Sequence, residues 1–413
     1  MKKTLAVVIV LLVPVLAIQV LSLRQFSDMR EWFAGRAPQE ILVGVAWPFA
    51  LNQDGMDEGL LLAQEELNTR GVRGRRIRLL MRDDRLDREE SRKAAVDFAR
   101  DPRIAAVIGY DDDRFAVRAS AIFEESHLLH IVTGANNTYM TSRGFRYLIR
   151  SVLASDRISR GLARMCMERG YRKYALIAED GAFGEDLAYQ FGTELDAMDA
   201  HVVHQSSYVR GQVDFHETIN DLKSVDADVI LLAGFETESA RFIKLAHDLK
   251  LKTPIIGAFY DTAEMHAIAG KALNGTMFYS LYDVNSPTPE NRAFVAKYRR
   301  RFGRDPDFSG AQGYDALRIL AKAVEATGST NSLDLAYAIR FMDRWEGANG
   351  SYKFDSTGEL EDKNIYLKVY RGEKPVVLAT GHTAPVPTVP VPAAPVPTTP
   401  GPVAPGPASS VVR

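Results

Sequence analysis

The side chains whose type and spacing could do chemistry are clustered acids and paired histidines. Asp83, Asp84 and Asp87, and the run Asp111-Asp112-Asp113, offer the oxygen ligands a hard cation wants. Neither follows the twelve-residue calcium-loop spacing. His201 and His204 are three apart in an apparent strand, as are His127 and His130, so the members of each pair face opposite sides and cannot easily share a metal. Cys166 is the single cysteine, which excludes an intrachain disulfide and any multi-cysteine zinc or iron–sulfur site. It sits in a helical run, Leu162–Met167, as a small buried side chain would. No nucleophile elbow, Walker glycine loop or dinucleotide fingerprint is present, so the sequence argues for neither an enzyme nor a cofactor.

Binding chemistry remains, and the elements that would position it are repeated strand–helix units. The apolar run Ile41–Trp47 precedes a helical pattern at Leu60–Leu67. The alternation returns with Ile77–Met81 and Glu89–Arg100, Ile104–Ile108 and Ala116–Glu125, then Leu128–Val132. A second series begins near Asp156, with a helix to Arg169, strand Tyr174–Ala178, helix Leu187–Met198, strand Val202–Val203, helix Phe215–Leu222 and strand Val229–Ala233. Phe242, Leu245, Ala246 and Leu249 share one helical face before strand Ile255–Gly257. Two long helical stretches, Glu290–Arg301 and Gln312–Ala326, lead to a β-rich close at Tyr352–Phe354 and Ile365–Tyr370. Short apolar strands separated by helices predict an α/β fold of two doubly wound parallel-sheet lobes. Ligands of such sheets sit beyond the carboxyl ends of the strands, where the loops are rich in glycine, aromatics and small polar residues.

The ends differ from the middle. Lys2 and Lys3 precede a nearly continuous apolar run, Leu5–Leu23, long enough to cross a bilayer as a helix. Leu16-Ala17-Ile18-Gln19 is a poor cleavage site, so an uncleaved anchor at 1–23 with a linker at 24–39 is expected, the body lying outside the cytoplasm. At the other end prolines recur from Pro385 to Pro407, predicting a disordered 381–413 tail with polyproline II character, either inert or a docking strip. With 51 basic against 53 acidic residues the net charge is -2, too balanced to favour nucleic acid.

VGVAWP at Val43–Pro48, AQEELNTRGVRGRRI at Ala63–Ile77, Asp83-Asp84, VIG at Val107–Gly109, AEDGAFGED at Ala178–Asp186 and GSYKFDSTGEL at Gly350–Leu360 occur in one order and spacing. Together they resemble the type I periplasmic binding proteins, in the leucine/isoleucine/valine-binding branch that serves ABC transporters. The resemblance implies two lobes, 40–154 plus 280–347 and 155–279 plus 348–380, joined by a hinge that the chain crosses three times. It implies a small-molecule ligand in the cleft, amino-acid-like, apolar, aromatic or cationic, and an ABC permease or other membrane partner. The ligand carboxylate would meet loops that map to Asp113-Arg114 and Gly134-Ala135-Asn136, although Asp113 puts an anion where the family offers a serine. Lobe-two aromatics map to Phe183 and Phe235, and the acid that commonly holds the ligand ammonium falls at Phe259, beside Tyr260. With Trp47 these residues form an aromatic cleft with an acidic edge, suited to an apolar, aromatic or cationic ligand. The alternative is a ligand-free scaffold or sensor reached through the anchor and the tail.

Overall fold

The computed structural model describes residues 29–35, 39–52, 54–258, 262–372 and 374–382. The apolar run at 1–23 and the proline-rich stretch from 383 lie outside the described residues. After a short helix α1 (29–34), the apolar runs form β1 (Glu40–Trp47), β2 (Arg76–Asp83), β3 (Ile104–Gly109), β4 (Leu129–Val132) and β5 (Leu148–Arg150). Helices α2 (Met56–Asn68), α3 (Arg88–Arg100) and α4 (Asp113–Glu125) connect the first four strands. The sheet is parallel throughout, in the order β2-β1-β3-β4-β5. Covered on both faces, its inner strands are fully buried, which is why they read as unbroken apolar runs.

The second series gives α5 (Ser155–Glu168), β6 (Lys173–Glu179), α6 (Ala182–Ala197), β7 (His201–Tyr208), α7 (His216–Leu222), β8 (Val229–Ala233), α8 (Glu236–Asp248), β9 (Ile255–Ala258), α9 (Ala263–Ala269) and β10 (Met277–Ser280). The chain then returns to the first sheet with α10 (Pro289–Phe302), α11 (Phe308–Thr327) and α12 (Ser332–Arg340), followed by the hairpin β11 (Trp345–Gly347) and β12 (Gly350–Tyr352). It ends on the second sheet with β13 (Asn364–Arg371) and β14 (Lys374–His382). That sheet runs β14-β13-β10-β9-β8-β6-β7 and is mixed, not wholly parallel, because β13 and β14 join antiparallel. A hairpin needs only a tight turn, whereas a parallel strand needs a long crossover. Gly381 and His382 pair with Ile365 and Asn364, so two residues expected in the tail belong to this sheet.

One close contact packs the first half of the molecule internally, and one ion pair ties its sheet to the segment that returns to the second. A Cβ on Gly59 would lie 1.9 Å from the carbonyl oxygen of Gly310, so α2 and α11 cross at a distance that only glycine permits. Arg150, at the end of β5, is fully buried and forms an ion pair with Glu359 in the segment returning from β12 to β13, where Thr141 also donates its hydroxyl at 2.7 Å. At the amino end of β3, α1 inserts Arg30 among main-chain carbonyls. Its guanidinium donates to Ala99 at 2.9 Å, to Asp101 at 3.2 Å, and also to Ile104 and Ser126. These are the carbonyls left open where α3 and α4 end, and a cation there also complements the helix dipoles.

Candidate functional site

The loops at the carboxyl ends of β3 and β4 meet those of β6, β7 and β8. Asp112 caps α4, accepting the N–H of Arg114 at 2.9 Å and the Arg114 guanidinium at 2.9 and 2.7 Å. A capping carboxylate at a helix N-terminus is the local choice that backbone and dipole favour. Asp113 follows in the first turn, its Oδ1 accepting the N–H of Asn137 at 2.9 Å. Its Oδ2 is buried with no hydrogen-bond partner. Burial above all, with Asp112 and Asp186 adding, pushes the Asp113 carboxyl up to about 6, while Asn137 and Arg150 oppose the rise. The next N–H and the hydroxyl, both of Thr138, donate to Asp186 on α6 at 3.1 and 3.2 Å.

On the second-sheet side Glu179 ends β6 and is buried. Its Oε1 accepts Nε of Arg210 at 2.9 Å, and its Oε2 has no partner. Arg210 lies 4.3 Å over the ring of Phe235, which stands 5.3 Å from that of Phe183. The same guanidinium comes within 3.9 Å of Asp112 across the interface of the two halves. Asp112, Arg114, Glu179, Phe183, Arg210 and Phe235 thus surround one small recess.

Further acids stand at neighbouring strand ends. Asp54 accepts the indole N–H of Trp47 at 3.1 Å, and Asn52 donates to Asp111 at 2.9 Å. Burial first, then Asp54, Glu236 and Asp112, hold the Asp111 carboxyl well above the usual range. Burial likewise pushes Asp54 up to about 6 and Glu236 up to about 7, with Asp307 adding at Asp54 and Glu264 and Asp54 adding at Glu236. Among the described residues no group of three or more acids, histidines and cysteines is arranged to hold a metal ion.

The structure brings Arg114, Phe183 and Phe235 to the recess, whereas Asp113, next to Asp112 in the first turn of α4, is not among the residues that surround it. Trp47 and Ala135 are each only 1% exposed and lie beneath the loops. Gly134 sits so close to them that a Cβ would fall 2.9 Å from the Trp47 ring and 2.7 Å from Cα of Asp111. Asn136 is turned away, donating to the Leu153 carbonyl at 2.8 Å and so tying its loop to the strand-to-helix crossing. Phe259 and Tyr260 lie outside the described residues.

Glu179 and Asp186 lie within the AEDGAFGED motif, of which only Phe183 is expected at the site, and Arg210 carries no such expectation. Arg210 follows β7, an edge strand whose HVVHQSSY sequence alternates exposed and half-buried residues. An apolar-run criterion therefore found only Val202–Val203 and never reached the loop beyond. The polar/apolar alternation itself was the available signal.

A family model described as "Periplasmic binding protein" matches residues 43–370. The chain belongs to the periplasmic binding protein family. Among its relatives, the Leu/Ile/Val-binding protein homolog 1 of Brucella suis biovar 1 is 26% identical over 334 residues, covering 79% of this chain and 89% of that protein. The crystal structure of an ABC transporter substrate-binding protein from Desulfitobacterium hafniense in complex with Leu shares 28% identity at a TM-score of 0.74, covering 82% of this chain and all of that one (100%). A solute-binding protein from R. palustris in complex with benzoate shares the fold at a TM-score of 0.73 and 22% identity, covering 84% of this chain and 97% of its own. This periplasmic binding protein therefore has the family's type I fold.

Proposed function

We propose that the chain is the solute-binding component of an ABC-type uptake system, taking a small molecule between two lobes that close about a hinge. The lobes are 40–154 plus 280–347 and 155–279 plus 348–380, and the hinge is the set of three connections between the sheets. Residues 1–23 anchor the protein in the membrane, with the body in the extracytoplasmic space. The observation that carries this reading is the recess between loops from the two sheets, in a chain whose relatives are named as binding proteins. Arg114, Phe183 and Phe235 face the ligand, and Asp113, Trp47, Gly134, Ala135 and Asn136 support the loops behind them. Phe259 and Tyr260 complete the set by family resemblance. The relatives are solute receptors, which supports a role without catalysis.

Arg210 favours a second reading. It joins the halves directly, as a ligand-free scaffold would require. The test is thermal unfolding of the full chain in detergent against leucine, isoleucine, benzoate and small organic cations. A ligand at ~100 times its dissociation constant adds about 2.7 kcal/mol, a clear rise in midpoint. A cooperative transition that no compound moves would leave the scaffold standing and remove the receptor.

A further inference from the structure

In this family resemblance, the ligand's carboxylate is held by backbone N–H groups of the loops after the third and fourth strands. Here three N–H groups of those loops are already spent on carboxylates of the protein itself. Arg114 N donates to Asp112 at 2.9 Å, Asn137 N to Asp113 at 2.9 Å and Thr138 N to Asp186 at 3.1 Å. An incoming carboxylate would have to displace an aspartate from each and would meet Asp112 and Asp113 as like charges.

What the recess does hold is a guanidinium. The Arg210 side chain rests on the face of Phe235 at 4.3 Å, bonds Glu179 at 2.9 Å and approaches Asp112 to 3.9 Å. A ring face with two carboxylates is a complement for an organic cation. The demand for positive charge is not exhausted by Arg210. Glu179 Oε2 is buried without a partner, and Glu179 is only 4% exposed. Arg114 is committed to Asp112, and Arg150 to Glu359. Asp54, Asp111 and Glu236 add further carboxylates at the adjoining strand ends.

We infer that the cleft takes an organic cation with an apolar stem and no carboxylate, an alkyl guanidine or diamine, which enters as the lobes part and replaces or joins Arg210 between Phe235, Glu179 and Asp112. This rests on the solute-receptor reading above and names the ligand class of that same site. Such a ligand supplies a donor to the unpartnered oxygen of Glu179, while its stem covers the rings of Phe183 and Phe235.

The experiment is isothermal titration calorimetry of the full chain in detergent with agmatine, putrescine, leucine and benzoate. Agmatine or putrescine binds, and leucine and benzoate do not. Glu179→Gln and Asp112→Asn each weaken the cation roughly tenfold or more, as loss of a charged hydrogen bond should, with the circular dichroism melt still cooperative. Arg210→Ala removes the resident guanidinium and tightens agmatine, a gain that a merely structural arginine would not give. Leucine or benzoate binding in place of the cations overturns the cation assignment and leaves the receptor intact. No heat from any of the four, on a cooperatively melting chain, overturns the receptor and the cation together.

Discussion

Oδ1 of Asp113 accepts the backbone N–H of Asn137 at 2.9 Å, so the loop after β4 is fastened to the first turn of α4 by a carboxylate of the protein itself. The partner oxygen of that carboxylate is buried and unsatisfied. The bond fixes the loop, and the orphan oxygen makes the ionised form costly.

A pH dependence follows with a definite sign. Asp113 and Asp84 are both buried, and burial is the main cause that raises each to about 6. Asp112 adds to both and Asp83 to Asp84, while Arg150 and the Asn137 N–H oppose at Asp113 and the Leu86 N–H at Asp84. Between pH ~4 and ~6 the native state keeps protons that the unfolded chain has released, so these groups lower stability as pH rises through that window, each by on the order of 2–3 kcal/mol. Thermal midpoints of the ligand-free protein from pH 5 to 7 should therefore fall less steeply in Asp113→Asn than in the parent. Parallel curves would show that Asp113 titrates as an ordinary carboxylate.

Glu359→Gln should be strongly destabilising. Arg150 is buried with Glu359 as its counter-ion and also donates to the Asn137 carbonyl. Removing one charge of such a pair leaves the other uncompensated, at a cost of about 3–5 kcal/mol. Urea titration followed by circular dichroism measures it, and a loss under about 1 kcal/mol would mean that water or another group already compensates Arg150.

Gly358 occupies a left-handed conformation at φ +87, and a Cβ there would lie 2.4 Å from the Leu148 carbonyl oxygen. Gly358→Ala combines backbone strain of roughly 1–2 kcal/mol with a clash against rigid main chain. Its melting midpoint should drop by several degrees, more than in Gly350→Ala, where φ is +83 but nothing stands within 4 Å of the added carbon. Equal drops would locate the whole cost in the dihedral and none in the contact.

Arg210→Ala together with Thr138→Ala removes the side-chain donors of two polar contacts between the halves, at Asp112 and Asp186. Arg210 is well exposed, so the effect on unfolding should be small. The average separation of the halves should instead increase, read as a larger radius of gyration in solution scattering. An unchanged radius would place the closing force in the hinge segments.

Much of the scaffold was legible because parallel strands buried on both faces must be apolar throughout. Val229–Ala233 appears as a strand with the boundaries its composition suggests. β7 was cut short because an edge strand need satisfy only one face, and β5 is three residues long, too short to show a period. α12 went unread although Asn331 caps it through Leu333 N and Asp334 N, a local signal that periodicity over nine residues does not amplify. At the site, Asp113 stood out against the serine of the family pattern. The self-satisfaction of the Arg114, Asn137 and Thr138 N–H groups could not be read, because it depends on side-chain direction and, for Asp186, on contact between segments 48 residues apart.

The seat of Arg30 has a mechanical consequence. Six residues, Arg24–Met29, separate it from Leu23, a leash of at most about 20 Å when fully extended. Were the proposed anchor to hold the apolar run in a bilayer, the first lobe would be moored close to the surface as a stator, with the Arg30 guanidinium as a pin resisting swivel. The hinge closure proposed above would then fall to the second lobe as the moving jaw, which would make the proposed receptor a fixed gate instead of a freely diffusing shuttle.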